Sequence, residues 1–307
     1  MQALPLMCNQ TGITLPNSKQ NYPMIHKKLL LPTGAFILLA SAAFSQTTFN
    51  SDGTSIFDGA NWDNGLPNSG GAGTINGGTG TGSATQSNTW ISGSSVTIGG
   101  GAVLTLGTDF GATGGTATVN DATVNATDDV FSGTNGTIIF NSGSASSAGD
   151  DFQAQGGGGT ITIHGGTHTA GDLVGSQSGT NSFNMTGGQI TAGNYQLDGD
   201  SNSIGGSAVL LSEDGTAVLS MLGATDITSD WTGSWNVGSF SGTAWRDELI
   251  GGGWTFDSAA IDGAVFDANF SVSGDGATLS LVPEPSTFGV LIGLFAMTTS
   301  AVLRRRK

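Results

Sequence analysis

The chain has 307 residues, of which 52 are Gly, 10% are charged and 7% are aromatic. That Gly load excludes a helical bundle, because each interior Gly costs a helix roughly 1 kcal/mol, whereas the Thr, Val, Ile and Phe of the apolar segments favour strands. Between Gln46 and Val282, 22 Asp and Glu face a single base, Arg246, a formal charge of −21 (22 acids less one base). Nucleic acid is thereby excluded as a partner, since its binding draws on Lys and Arg at phosphates; cations and neutral sugars remain.

In chain order, residues 1–23 are polar and hold Pro5, Pro16 and Pro23. They fit no part of a targeting signal, and Met24 is the expected start, with 1–23 an upstream extension. Lys27 and Lys28 then precede an apolar run, 29–43, that ends in small residues. A basic region, a short apolar region and small residues make a secretory signal over 24–45, with cleavage after Ala43 or Ser45 by signal peptidase. Cys8 is the only cysteine and lies outside the expected mature protein, so no intrachain disulfide forms.

Residues 46–89 are expected to cap the body at its N-terminal end. The stretch 57–67, FDGANWDNGLP, resembles the entry segment of passenger-like β-solenoid proteins. Trp62 would cover the open end of the first coil, because exposed strand edges need protection.

Three segments then align at a constant spacing of about 22 residues, the length of one structural repeat. They are 139–152 (IFNSGSASSAGDDF), 161–174 (ITIHGGTHTAGDLV) and 183–196 (FNMTGGQITAGNYQ). Gly143, Gly165 and Gly187 share one column, and Ala148, Ala170 and Ala192 another. Alternating apolar and polar residues mark strands with one buried face. A unit this short cannot bury that face alone, and stacking units as coils buries it continuously. The expected fold is all-β, a right-handed parallel β-helix or solenoid over 90–211 with about 22 residues per coil. Ile139, Ile161 and Phe183 should form one inward column, and Val130, Phe152 and Val174 another. A β-sandwich with coincidental spacing is the competing reading.

The repeats place Asp128, Asp150 and Asp172 in register, with Asn194 continuing the file. Carboxylates on successive coils lie about 4.8 Å apart. Their repulsion is relieved by solvent or by Ca²⁺, which takes carboxylate and backbone oxygens. These three residues are therefore the candidate Ca²⁺ ligands, and no other cofactor is expected. His164 and His168 lie four apart in a strand-and-turn segment without a third ligand, which argues for surface histidines rather than zinc. A polysaccharide lyase needs a base beside the substrate, and Arg246 lies outside the repeats. A glycoside hydrolase needs two carboxylates about 5–9 Å apart, which the Asp pairs could supply, but the paired basic residues of the polygalacturonase pattern are missing. The expectation is a protein that is not an enzyme.

From about Ala208 the period is lost. Residues 212–281 are expected to form a β cap, with Trp231, Trp235, Trp245 and Trp254 as its aromatic core; the alternative is sugar binding by exposed rings.

The chain ends with Pro283-Glu284-Pro285, a short apolar run over 288–303, and Arg304-Arg305-Arg306-Lys307. Snorkelling of the basic residues lets so short a run serve as a transmembrane helix, and the positive-inside rule keeps them cytoplasmic. The region 282–307 resembles the PEP-CTERM sorting signal in all three parts and in their order. The resemblance implies an exosortase, a membrane cysteine protease, that recognises Pro283, Glu284 and Pro285 and removes the tail. It implies an exported protein: first a precursor anchored in the inner membrane with its body outside the cytoplasm, then a component of the cell surface or extracellular (biofilm) matrix. A structural or adhesive role is the leading expectation, with exopolysaccharide a candidate partner. A non-catalytic polysaccharide-binding protein is the next reading, and a β-helix glycoside hydrolase the third.

Overall fold

The computed structural model describes residues 46–282, apart from 50–53, 57, 64–65, 67–70, 83–90, 213–218, 221–224, 238–241 and 274–275. Its frame is three sheets wound as a solenoid. Each regular coil supplies one short strand to each sheet, as in Thr137–Phe140, Ala145–Ala148 and Phe152–Ala154. The first sheet has 11 strands, starting at Gln46–Thr48; the second also has 11, starting at Thr54–Ser55; the third has seven, from Ile91–Ser92 to Leu219–Ser220. Pairing between successive coils is parallel.

The alternation seen in the sequence is the burial pattern of these strands. In Thr160–Ile163 the two isoleucines point inward and the two threonines outward. Stacking then turns single side chains into continuous columns. Phe110, Val130, Phe152, Val174 and Tyr195 follow one another in the third sheet and are fully buried. Val130, Phe152 and Val174 are partners at one constant step along the chain, as expected from the repeat.

One inward column differs from expectation by a residue. Ile138, not Ile139, stacks on Ile161 and Phe183; Ile139 faces outward beside Thr162. The connection from the third sheet back to the first is 133–136 in one coil and 155–159 in the next. The longer connection carries Gly156, Gly157 and Gly158, all at positive φ, so the added residue is absorbed in a turn and the strands stay in register. In a strand a one-residue offset exchanges the inner and outer faces.

Parallel pairing runs beyond 90–211 on both sides, from Gln46–Thr48 to Thr255–Phe256. At the N-terminal end Trp62 is buried, donates its indole N–H to the Ile56 carbonyl (2.9 Å) and packs edge-on against Phe49. Phe49 and Trp62 form an antiparallel bridge, and the Asp63 N–H donates to the Thr48 carbonyl. The segment around Trp62 thus covers the edge of the first strand.

The C-terminal cap is not purely β. Helices Gly242–Gly251 and Gly263–Asn269 accompany the antiparallel pair Phe270–Val272 and Thr278–Leu281. Trp245 and Leu249, four apart on the first helix, are both buried. The Asp262 carboxylate caps the second helix by accepting from the Val265 N–H (2.8 Å). Trp235 continues the inward column of the second sheet above Leu210 and meets Tyr195, Trp245 and Trp254 at ring separations of 5.3, 5.5 and 5.6 Å.

The expected signal peptide, the sorting motif and the apolar run before Arg304 lie outside the described residues. Among the described residues no helix is long and apolar enough to cross a membrane.

Candidate functional site

The corner between the second and third sheets carries the acidic residues. Each coil enters it through a small residue pair, Ala148-Gly149 or Ala170-Gly171, and then turns. Glycine is required there by close approach of the coils: a Cβ on Gly149 would run into the Thr127 carbonyl, and one on Gly171 into that of Gly149. With the coils this close, the backbone forms a ladder. Asp150 N–H donates to Asp128 O (3.1 Å), Asp172 N–H to Asp150 O (2.9 Å) and Asn194 N–H to Asp172 O (2.7 Å). The predicted file of Asp128, Asp150 and Asp172 is therefore brought together, and all three side chains are exposed.

A second file lies just inside the first. The Asp109 carboxylate accepts from the Asp129 N–H (3.2 Å), and that of Asp129 from the Asp151 N–H (3.0 Å). Burial raises the Asp109 carboxyl above its ordinary value, and the charges of Asp129 and Asp128 add to this. Asp129 is raised in the same way by burial and by Asp128 and Asp150. Asp151 is pushed up to about 6, first by burial, then by the charges of Asp129, Asp150 and Asp172. The coil from Asp109 to Asp129 is shorter than the one from Asp129 to Asp151, so strict periodicity does not reveal this file. The Asp-Asp doublets at 128–129 and 150–151 are its only signal in sequence.

Carboxylate oxygens of Asp128, Asp129 and Asp150 lie within 4.8 Å of one another, as do those of Asp150, Asp151 and Asp172. A donor set made only of oxygens suits a hard cation such as Ca²⁺ and not zinc. Part of the inner file is already engaged by backbone N–H groups, the Asp128 side chain shares a hydrogen bond with Asp109, and Asp172 accepts from Asn194 Nδ2 (2.6 Å), which leaves Asp150 the freest carboxylate of the outer file.

No family model, curated protein or solved structure matches the chain. The site is therefore judged on its geometry. His164 is exposed, whereas His168 is fully buried against Phe140 and Phe152. The expectation of surface histidines thus holds for one and fails for the other, because residue 168 falls on an inward position of the second sheet. His168 Nδ1 is 2.8 Å from Ser146 Oγ and Nε2 is 3.0 Å from the Gly165 carbonyl. Burial lowers its pKa. Such a pair is a satisfied polar core, sealed from solvent.

Trp231, Trp235, Trp245 and Trp254 are buried, so none of these rings presents a face for stacking on a sugar. Arg246 pairs with Asp267 (3.3 Å) between the two helices of the cap, apart from the repeats that carry the Asp files.

Proposed function

We propose that this chain is an exported structural or adhesive protein of the cell envelope or extracellular matrix, sorted and cleaved at Pro283-Glu284-Pro285 by an exosortase, and not an enzyme. The observation that carries this reading is the position of the motif against the described fold. Thr278–Leu281, the last strand among the described residues, is paired on both sides, with Ser234–Asn236 and with Phe270–Val272, and the motif starts at Pro283, just beyond it in sequence. A protease address belongs at such a boundary: prolines hold a segment extended and outside helix or sheet. Arg304, Arg305, Arg306 and Lys307 would keep the end of the precursor in the cytoplasm, with signal peptidase and the export machinery acting at the other end. The winding of the coils is right-handed by the steric rule that governs parallel crossovers.

The body suits that destination. Its length comes from repetition, its ends are covered, and its acidic charge keeps it soluble. Mass spectrometry of both mature termini, in cells with and without the sorting protease, tests the reading. Glu284→Ala with Pro285→Ala should leave uncleaved protein in the inner membrane; normal processing of that variant would refute the assignment.

Bound Ca²⁺ along the file of Asp128, Asp150 and Asp172 is a second element of the reading, favoured by two carboxylate groupings, Asp128-Asp129-Asp150 and Asp150-Asp151-Asp172, each of which draws in one residue of the inner file. Polysaccharide binding through Trp231, Trp235, Trp245 or Trp254 is disfavoured, because these rings are buried.

A further inference from the structure

The outer face of the first sheet is denser in hydroxyls than that of the second, which is also uncharged but is interrupted by Val103, Asn125, Ala145 and Gln189. Five successive strands present Ser95 and Thr97, Thr116 and Thr118, Thr137 and Ile139, Thr160 and Thr162, and Ser182 and Asn184. Pairing aligns them as two files, Ser95-Thr116-Thr137-Thr160-Ser182 and Thr97-Thr118-Ile139-Thr162-Asn184. Eight of these ten side chains carry a hydroxyl. Along a file the repeat is the strand spacing, about 4.8 Å, and across the files it is two residues of strand, about 6.6 Å. The face is therefore a two-dimensional grid and not a single row.

Three properties narrow what such a grid fits. None of its ten residues is charged, although the body carries −21 overall (22 acids less Arg246); Asp121, in a turn, and Asp226, two strands further along the second file, stand at its margins. A neutral face on so acidic a body selects a neutral partner. Next, the hydroxyls of Ser95, Thr97, Thr116, Thr118, Thr137, Thr160 and Thr162 make no side-chain hydrogen bond among the described residues, whereas Ser182, Asn184 and Ser203 bond within the protein. Finally, the face has no aromatic ring and is mostly Thr, whose methyl and hydroxyl stand side by side on a stiff rotamer. A glycan chain repeats in one dimension and buries its C–H faces against rings. Water on the face of an ice crystal repeats in two dimensions, is neutral, and offers a donor or acceptor at every lattice point.

We propose that the outer face of the first sheet is an ice-binding surface, its Thr and Ser files ordering water in register with a crystal face. The proposal is independent of the sorting signal and either can fail alone. The preorganised grid supplies the binding, because the strands are fixed by backbone pairing before any ligand arrives.

The test is partition of the full-length chain, in mild detergent, into slowly growing polycrystalline ice, with a detergent-only control and with ice recrystallisation read in parallel. Wild type should enter the ice and slow recrystallisation. Thr118→Tyr and Thr160→Tyr, which raise a bulky ring in either file, should abolish both effects. Thr169→Tyr, an outward residue of the second sheet, should change neither, and near-identical circular dichroism spectra of the three variants exclude misfolding. Exclusion of wild type from ice overturns the proposal. So does binding to an insoluble neutral polysaccharide that Thr118→Tyr abolishes while ice partition is absent, which would assign the face to a sugar lattice.

Discussion

Asp151 lowers stability at neutral pH, and replacing it by Asn should make the protein more stable. Its carboxyl moves from the ordinary 3.8 to about 6 on folding. A folded-state pKa above the unfolded one means that the native state holds the proton more tightly. The associated stability is complete below the unfolded value and lost as pH rises through the folded one, so it disappears between about pH 4 and pH 7. A shift of that size corresponds to about 3 kcal/mol for a carboxylate cut off from water. Asp151 is only partly buried, and solvent screening reduces the figure to about 1 kcal/mol. Asp151→Asn keeps an oxygen to accept from the Leu173 N–H and removes the charge facing Asp129, Asp150 and Asp172. The variant should match wild type near pH 4 and melt about 2–4 °C higher at pH 7.5, the shift expected per kcal/mol for a domain of this size. Melting curves followed by circular dichroism across that range measure the difference. A variant no more stable than wild type at pH 7.5, or an advantage that does not change with pH, refutes the reasoning.

Phe152→Ala opens a cavity in the middle of the third-sheet column, against Phe140 and His168, and should cost about 3–5 kcal/mol by denaturant titration. Millimolar Ca²⁺ should raise the melting temperature of wild type and not that of Asp150→Asn with Asp172→Asn; identical wild-type melts in Ca²⁺ and in chelator would remove the metal. His168 acts with the opposite sign to Asp151: its pKa is depressed by burial from the ordinary 6.5, so its contribution is complete above that unfolded value and lost as pH falls. Ser146→Ala combined with His168→Leu, which removes both partners, should flatten that acid limb in a pH series of melts.

What was legible in the sequence follows from which coil segments have constant length. In the second sheet Ala145, Thr167 and Gln189 recur at equal steps, and so do Val130, Phe152 and Val174 in the third. Those positions could be read from spacing, and Asp128, Asp150 and Asp172 lie between them. In the first sheet the step from Ile138 to Ile161 is one position longer than the next, from Ile161 to Phe183. Ile139 is as apolar as Ile138, so composition gave no warning that a fixed count would choose the outward one. The helices of the cap were hidden for a related reason: they follow the loss of the period, in a chain whose glycine content argues against helix. The same geometry explains why the hydroxyl grid escapes a search for catalytic motifs. Its elements are two Thr-X-Thr triplets beside Ser-X-Thr, Thr-X-Ile and Ser-X-Asn, each ordinary for a half-buried strand. Only the pairing of Thr116 with Thr137 and of Thr137 with Thr160, across unequal steps that a fixed period would miss, puts them in one file. A chemical surface assembled from outward residues of separate coils therefore depends on turn lengths as much as on strand composition. Adding a residue to the connection 133–136 would test whether the turn absorbs it, as 155–159 does, or the files shift out of line.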